Sequence, residues 1–317
     1  MVNLSEINLT DISTALENNR EQLIQEAEDK YFSNVLSVVD AILSKNKRIV
    51  LLSGPSGSGK TTTANFIRRE LEKRGHKTVL ISMDNFYRPL SDPLYPRDEQ
   101  GEFDYEAVEA LRCDKIHDCI EKITKGLPVT LPRFVFGEGR IDEEAYKYSN
   151  PDGGVFIMEG IHGLNPIFTS GIDEDKILRL FISVSTNINL DGARLLSGKK
   201  VRFIRRMTRD SIYRKTGAGD TLKRWQSVLR GEEKYLYPYR DTADFRFDTF
   251  HSFELSAMKE LATIAISEAD KTDSFRGEFA DIIRNALSLV PPLDTSLVPK
   301  TSLIREFISG GIFDGVY

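Results

Sequence analysis

A glycine-rich run able to bind phosphate extends from Gly54 to Thr61 and fits the pattern G-x-x-x-x-G-K-[ST]. It directly follows the apolar run Ile49 to Leu52, which is the position that this phosphate-loop pattern requires. Glycines let the backbone approach a phosphate closely and turn successive N–H groups toward it, and the positive end of the following helix adds to the attraction. The pattern predicts that the chain binds a nucleoside triphosphate.

Two side chains of this run add chemistry to that of the backbone. Lys60 is expected to bridge the β and γ phosphates as a mobile charge, and the Thr61 hydroxyl to ligate Mg2+. A glycine-rich turn that only caps a helix needs neither group. The residues expected to contact the nucleotide are Gly54, Ser56, Gly57, Ser58, Gly59, Lys60, Thr61 and Thr62.

Two carboxylates each come at the end of a predicted strand. Asp84 follows residues 78 to 83, and Glu159 follows residues 155 to 158. Ligands bind at the carboxyl ends of the strands in an open parallel sheet, so both carboxylates should face the phosphate loop. Asp84 can accept the proton of an attacking hydroxyl or help to hold metal-bound water, and Glu159 suits a Walker B role near Mg2+. A lone aspartate at such a position is as often only a helix cap.

A basic segment lies between Lys199 and Lys215, and four of its arginines share one helical face: Arg202, Arg205, Arg206 and Arg209. Like charges packed so closely cost stability unless an anion lies among them. We expect a mobile helical lid whose arginines stabilise charge on a transferring phosphoryl group and exclude water. The alternatives are a solvated basic face or a nucleic-acid-binding stripe.

The elements that must position these groups alternate between strand and helix. Short β-rich runs occur at 49–53, 78–83, 155–158 and 177–184, and helices are expected at about 60–74, 105–125, 201–215, 221–236 and 253–269. Such alternation predicts an α/β fold, with a parallel sheet covered by helices on both faces.

Two flanks look appended to a central segment, and this divides the chain into residues 1–46, 47–270 and 271–317. Apolar residues at helical spacing between 11 and 45 predict an amphipathic helix that packs on the core or on a partner. At the other end, prolines near 291 and 299 break any helix and leave a tail with the exposed-looking sequence 303–308. The tail is expected either to dock on the body or to form a contact in a homo-oligomer.

Composition and the spacing of particular residue types argue against several classes of protein. The chain has 317 residues and a net charge of -5, which argues against a general nucleic-acid binder. It has no run of apolar residues long enough to cross a membrane and no signal-like amino terminus, so we expect a soluble, cytoplasmic protein. Cys113 and Cys119 are spaced for neither a zinc site nor a redox pair, and the four histidines are scattered.

The order of these motifs resembles the uridine kinase and phosphoribulokinase family over about residues 47 to 250. The resemblance rests on the phosphate loop and on the runs DNFY (84–87), EFD (102–104), FIMEG (156–160) and RRMTRD (205–210). It implies a P-loop kinase fold in which ATP and Mg2+ phosphorylate a primary hydroxyl, with Asp84 as general base and Asp104 gripping sugar hydroxyls of the acceptor. The tail 302–311 is similar to that of a bacterial uridine kinase-like branch.

One departure from the family concerns the acceptor. Uridine kinases carry a tyrosine and a histidine shortly after the strand that follows the Asp104 helix, whereas residues 131–140 of this chain offer Phe134 and no histidine. Phe134 can still stack on a base, but a hydrogen-bonding contact is missing. Arg133 and Arg140 would favour an anionic acceptor such as a sugar phosphate, or are surface arginines.

These observations predict an ATP-dependent kinase for a hydroxyl of a small molecule, either a nucleoside or a sugar. The expected catalytic residues are Asp84, Lys60, Arg205, Arg206 and Arg209. The expected acceptor-binding residues are Asp84, Tyr87, Asp104, Phe134, Arg140 and Arg202, and the expected Mg2+ ligands are Thr61 and Glu159. A regulatory protein that binds ATP without turnover is the alternative. A GTPase switch is disfavoured because the guanine-reading N-K-x-D motif is absent.

Overall fold

The structure is a computed structural model that describes residues 5–98, 101–135, 138–149, 154–272 and 274–315. Its strands are β1 (Glu6–Asn8), β2 (Ile49–Ser53), β3 (Thr78–Ser82), β4 (Val129–Val135), β5 (Arg140–Tyr148), β6 (Val155–Glu159), β7 (Ile177–Ser183), β8 (Asn187–Leu190), β9 (Ala193–Leu196) and β10 (Phe245–Asp248). Its α-helices are α1 (Leu9–Ser44), α2 (Lys60–Lys73), α3 (Cys113–Thr124), α4 (Gly198–Tyr213), α5 (Ala218–Gly231), α6 (Glu254–Asp270), α7 (Glu278–Leu289) and α8 (Arg305–Ile308).

A five-stranded parallel sheet with the order β10-β7-β2-β6-β3 forms the centre of the molecule. Strand β2 is buried along its whole length because both faces of the sheet are covered. Val50 and Leu52 pack into the core on one face, and Ile49 and Leu51 into the core on the other. This period of two is what a strand with two buried faces requires. The predicted α/β fold is confirmed.

The predicted strands at 49–53, 78–83, 155–158 and 177–184 correspond to β2, β3, β6 and β7. The fifth strand, β10, was not predicted. It is only four residues long, apolar and charged side chains alternate along it, and it lies at the edge of the sheet. The helix expected from residue 105 begins only at Cys113. Leu111 instead bridges to Tyr87, and the backbone N–H of Arg112 donates to the Phe86 carbonyl, so these groups are not free to start a helix.

Two smaller sheets lie outside the central one. Strands β4 and β5 form an antiparallel hairpin, with a register irregularity between Leu131 and Arg133. Strand β1 pairs in parallel with β8, which also pairs with β9, so the start of the described chain is tied to the middle of the sequence. Among the described residues, no helix has the length and apolar character needed to cross a membrane.

The amino-terminal flank is the long helix α1, interrupted by a non-helical residue at Asn19. Its apolar face, which includes Tyr31, Val35 and Val38, packs into the same core as the central sheet. The Tyr31 hydroxyl lies 2.9 Å from the Thr63 hydroxyl, within the first turns of α2. Of the two sequence-based alternatives for this helix, the structure has the one in which it packs on the chain's own core.

The carboxyl-terminal flank also docks on the body. Leu303, Ile304 and Phe307 are fully buried within that core, although the sequence suggested an exposed tail. The Phe307 ring lies under the Arg205 guanidinium at 4.9 Å, and Leu303 packs where a side chain on Gly59 would have to stand. The division of the chain into three parts remains a prediction. Apolar packing is continuous across both proposed boundaries.

A buried carboxyl lies where α1 meets the rest of the molecule. Glu28 is 4% exposed, and its Oε1 lies 3.7 Å from His251 Nε2. Burial raises the pKa of Glu28 to about 7, which the neighbouring Ser302 only partly offsets. Burial also lowers the pKa of His251 to about 3, so the imidazole is neutral and supplies no countercharge.

Glu28 should therefore make the folded state sensitive to pH. Its folded pKa lies above its unfolded value of 4.5, so the stability it contributes is fully present below pH 4.5 and is lost as the pH rises through about 7. Between about pH 5 and about pH 8, we expect Glu28→Gln to gain roughly 2 kcal/mol in unfolding free energy relative to wild type. Urea denaturation of both proteins across that range measures this difference, and parallel pH profiles would contradict it.

Candidate active site

The phosphate loop has the backbone that its glycines predict. Gly57 and Gly59 have φ values of +75° and +84°, which other residues rarely adopt, and Gly59 directly precedes the first residue of α2. A side chain on Gly54 would come within 2.3 Å of the Ile182 carbonyl oxygen, so strand β7 fixes the start of the loop. The loop therefore turns tightly against the sheet, with the amino end of α2 behind it.

Every carbonyl from residue 54 to residue 58 accepts a hydrogen bond from elsewhere in the chain. Lys60 Nζ donates to Gly54 at 2.9 Å and to Pro55 at 3.3 Å. The carbonyls of residues 56, 57 and 58 accept from Arg202, Arg205 and Thr249, respectively. A loop that turns its N–H groups toward an anion turns its carbonyls the other way, and these need donors of their own.

Three charged side chains converge beside this loop, at the carboxyl edge of the sheet. Glu159 ends β6 and pairs in register with Ser82 of β3 on one side and Leu52 of β2 on the other. Asp84 follows two residues after Ser82, whose hydroxyl accepts from the Asp84 backbone N–H at 3.3 Å. Asp84 and Glu159 each lie close enough to Lys60 to raise its pKa, and Lys60 lowers the pKa of both carboxylates. The two predicted carboxylates thus share one site with the loop lysine.

Electrostatics in this group favour an added cation. Burial raises the pKa of Glu159 to about 7, with Lys60 opposing the rise and Asp84 adding to it. Asp84 is exposed as a residue, but the protein around its carboxyl group raises the pKa of that group as well. Lys60 and Arg214 oppose this rise. Burial lowers the pKa of Lys60. Two neighbouring carboxylates and one weakened ammonium make a site that gains from a divalent ion.

The chemistry of the residues present fits Mg2+. Thr61 lies in the first turn of α2, and Glu159 supplies a hard oxygen at the adjacent strand end. Within the described part of the chain, no cluster of three or more His, Cys, Asp or Glu side chains is arranged to hold a metal. Mg2+ is commonly held by one or two protein oxygens together with phosphates and water, which matches a hydroxyl and a carboxylate beside a phosphate loop.

The structure corrects the role expected for Arg202. Its guanidinium is 1% exposed, forms a two-pronged ion pair with Glu232, and donates to the Ser56 carbonyl at 2.9 Å. Glu232 Oε1 also accepts the Ser56 backbone N–H at 3.0 Å. All of these contacts lie behind the loop, so Arg202 supports the loop and is not placed to contact an acceptor.

Arg205 needs the same correction, because it was expected to close over the γ-phosphate. The side chain is fully buried and paired with Glu254 at 2.5 Å, and it donates to Gly57 and Thr249. Helix α4, which carries both arginines, packs against α5, α6 and α8. The crowding of like charges that suggested an anion is therefore relieved by two buried glutamates instead.

The other two arginines of α4, Arg206 and Arg209, lie on the side of the phosphate loop that faces the active site. Arg206 donates to the Ser56 hydroxyl at 2.8 Å, and its Nε lies 3.4 Å from Asp210. Arg209 pairs with Asp210 at 3.3 Å and with Glu306 at 3.2 Å, and its charge lowers the pKa of Lys60. Both side chains remain slightly exposed, which leaves them as the α4 arginines able to approach a triphosphate.

On the acceptor side, the predicted residues contribute in different ways. One oxygen of Asp104 accepts the backbone N–H groups of Glu106 and Ala107, at 3.0 and 3.2 Å, so this carboxylate caps the turn that follows it. The Tyr87 hydroxyl donates to the Tyr105 carbonyl at 2.9 Å. The buried Phe134 ring meets Tyr87 edge to face, with their centres 5.9 Å apart.

Arg140 is not in a position that fits its expected role. It lies on the exposed hairpin β4–β5, is 59% exposed, and pairs with Glu138 two residues before it. A short-range surface pair of this kind neutralises the guanidinium that an anionic acceptor would need. Of the two alternatives for this residue, the structure has the surface arginine.

Three residues of the site were not found from the sequence. Glu106 is partly buried near Asp84 and Asp104, and burial raises its pKa to about 7. His162 lies 3% exposed against Tyr235, with its pKa lowered to about 4 by burial. Glu306 reaches the loop helix from the far end of the chain and accepts from Thr62 at 2.6 Å. Only Glu106, two residues after Asp104, had a local signal that pointed to it.

The fold and site are those of a P-loop nucleotide-binding protein of the kinase type. The family model described as Phosphoribulokinase / Uridine kinase family matches residues 49–256. The chain belongs to this family.

Individual proteins and a solved structure are also similar to this chain. Uridine kinases from Staphylococcus epidermidis and Staphylococcus aureus are each 27% identical to it, over 62% and 63% of this chain and 84% and 86% of their own. A solved structure described as a possible uridine kinase from Bacillus stearothermophilus is 16% identical, with 69% of this chain and 100% of that chain covered and a TM-score of 0.46.

The placement of the arginines predicts that Arg205 and Arg206 differ in what their loss costs. Arg205→Ala leaves Glu254 buried without its partner and should lower the free energy of unfolding by about 3 to 5 kcal/mol. Arg206→Ala should lower it by less than about 1 kcal/mol, because the Arg206 side chain is partly exposed and Asp210 keeps Arg209 and Arg214 as partners. Chemical denaturation of both variants measures this. An Arg205→Ala protein that kept wild-type stability and lost only turnover would restore Arg205 to the catalytic group.

Proposed function

We propose that this protein is an ATP-dependent kinase that transfers the γ-phosphoryl group to a hydroxyl of a neutral, hydroxyl-rich small molecule, a nucleoside or a sugar. The observation that carries the proposal is the convergence of Lys60, Asp84 and Glu159 beside the phosphate loop. A loop that only binds nucleotide has no need for a second carboxylate next to the lysine. Membership of the family and the names of its relatives support the same reaction.

In the proposed reaction, the acceptor hydroxyl oxygen attacks the γ-phosphorus while the bond to the bridging oxygen of ADP breaks on the opposite side. Asp84 takes the hydroxyl proton, and its raised pKa suits that task better than an ordinary aspartate would. Lys60 leaves the loop carbonyls to bridge the β and γ phosphates, and Arg206 and Arg209 stabilise the charge that develops on the transferring group.

Thr61 and Glu159 would hold Mg2+. When bound, the ion neutralises charge on the β and γ oxygens and keeps the triphosphate in line with the acceptor. The carbonyls of residues 56 and 57 are already fixed from behind by Arg202 and Arg205, so this part of the loop need not reorganise when the phosphates arrive.

The charge of the acceptor side favours a neutral molecule over a sugar phosphate. Burial raises the pKa of Glu106 to about 7, with Asp84 and Asp104 adding to the rise and Arg206 opposing it, so three acidic side chains lie close together on this side. An anionic acceptor would be repelled unless arginines met it, and Arg140 is paired with Glu138 on the exposed hairpin. Carboxylates that accept hydrogen bonds from vicinal hydroxyls suit a ribose or another polyol.

A direct test is ATP consumption with Mg2+ across a panel of nucleosides, pentoses, hexoses and their monophosphates. We expect turnover with at least one uncharged polyol or nucleoside and much weaker turnover with the phosphorylated partner of the same compound. Preference for the monophosphate would reject the neutral acceptor. ATP binding without consumption of any acceptor would instead support a regulatory protein that binds ATP without turnover.

Asp84→Asn separates chemistry from binding. Without the base, kcat should fall by about 10²- to 10⁴-fold. ATP binding should stay within about twofold of wild type, because the lost charge lies beside Lys60 and its loss does not weaken a polyanion's affinity. Initial rates and isothermal titration measure the two quantities. Asp118→Asn, on the exposed face of α3, is the matched control; full activity of Asp84→Asn would remove Asp84 from the base role.

A further inference from the structure

The docked tail places a carboxylate beside the loop helix. Glu306 lies in α8 and is 2% exposed. Its Oε2 accepts from the Thr62 hydroxyl at 2.6 Å, and its Oε1 accepts from Arg209 at 3.2 Å. One carboxylate therefore joins the first turn of α2, which follows the phosphate loop, to the arginine that α4 brings to the site.

The tail is held firmly enough for Glu306 to have a fixed position. Leu303 packs against Gly59 of the loop, and Phe307 packs beneath the Arg205 guanidinium. Arg305 donates to the carbonyls of residues 295, 298, 299 and 309, which ties the tail to itself. Tyr213, at the end of α4, donates to Asp314 at 2.9 Å. These contacts fix α8 against both the loop and α4.

The direction of the Glu306–Arg209 pair also matters. The arginine side chain is 12% exposed and that of Glu306 is 3% exposed, so the guanidinium is the partner nearer to solvent. An anion that enters the site meets the arginine first, with the carboxylate behind it. Without Glu306, Arg209 would be left with Asp210 as its ion-pair partner, among Lys60, Arg206 and Arg214, which all repel it.

We propose that Glu306 is a positioning residue of the nucleotide site, through which the docked carboxyl-terminal tail holds Arg209 toward the terminal phosphates of ATP. The inference rests on the ATP binding that belongs to the proposed function. It gives the tail a role in ATP binding that is separate from the roles of the phosphate loop and the strand-end carboxylates.

Two opposite outcomes distinguish this role from simple electrostatics. If Glu306 only added negative charge, Glu306→Gln would bind ATP more tightly than wild type, since a repulsive charge is lost. If it positions Arg209, Glu306→Gln should bind ATP about tenfold more weakly, the cost of one charge-assisted contact. Glu306→Asp, which keeps the charge on a shorter arm, should recover part of that loss.

Isothermal titration with Mg-ATP measures these affinities in the full-length protein. Asp314→Asn is the matched control, because it removes a carboxylate of the same tail that contacts Tyr213 and not the loop. Arg209→Gln combined with Glu306→Gln should bind no more weakly than Arg209→Gln alone if Glu306 acts through that arginine. Additive losses, unchanged binding or tighter binding of Glu306→Gln would each overturn the proposal.

The melting temperature of Glu306→Gln, measured with and without Mg-ATP, distinguishes positioning from a purely structural role. If the role is purely structural, the variant melts at a lower temperature than wild type, but Mg-ATP raises the melting temperature of both proteins equally. If Glu306 positions Arg209, Mg-ATP raises the melting temperature of the variant by less than that of wild type.

A measurement on the wild type covers the case in which Glu306→Gln does not fold. By linkage, a tail that favours ATP binding must be stabilised by ATP in turn. We expect Mg-ATP to slow amide hydrogen exchange in residues 303–309, and unchanged or faster exchange would contradict the proposal. A wild-type protein that binds no ATP would reject both this inference and the proposed function, whereas normal wild-type binding with an unaffected Glu306→Gln would reject the inference alone.

Discussion

The site depends on how the carbonyls of the phosphate loop are satisfied. A backbone that presents N–H groups to an anion must point its carbonyls into the protein, where an unpaired oxygen is costly. Arg202 and Arg205 supply the donors for two of these carbonyls, and each arginine is itself neutralised by a buried glutamate. Burying two ion pairs brings little net stability, but it fixes a shape that a flexible glycine-rich segment would not keep alone. The loop is thus preorganised by α4 as much as by its own sequence.

The central sheet and the loop could be predicted because their signals are local. An apolar run followed by G-x-x-x-x-G-K-T specifies strand, turn and helix within a few residues, and Asp84 and Glu159 follow from the rule that parallel strands end at one edge. The arginines of α4 show the limit of such reasoning. Their spacing placed them correctly on one face, but their partners Glu232 and Glu254 come from other segments, and no local pattern distinguishes an arginine that meets phosphate from one that meets a buried glutamate.

The same limit explains the tail and the acceptor side. Leu303 and Phe307 looked exposed because the surface that covers them belongs to the loop and α4, far away in sequence. Glu106 had no signal beyond its closeness to Asp104 in the sequence, and its burial near two aspartates makes it part of the acidic acceptor side. Arg140 is of the residue type that binds an anionic acceptor, but it pairs with Glu138, two residues away, on the surface. For Leu303, Phe307 and Glu106, tertiary proximity, which spacing does not encode, determined the role.

Thr62 and Thr63 stand next to each other on α2, and each meets a different end of the polypeptide: Glu306 from the carboxyl-terminal tail and Tyr31 from the amino-terminal helix. Both flanks therefore close on one turn of helix directly behind the nucleotide loop. Trimming the molecule to a minimal catalytic fragment would strip two hydroxyl partners and the apolar cover from that turn at once. Engineering by terminal deletion, or by insertion that pulls either flank outward, would act on the phosphate site even though neither end carries a recognised motif.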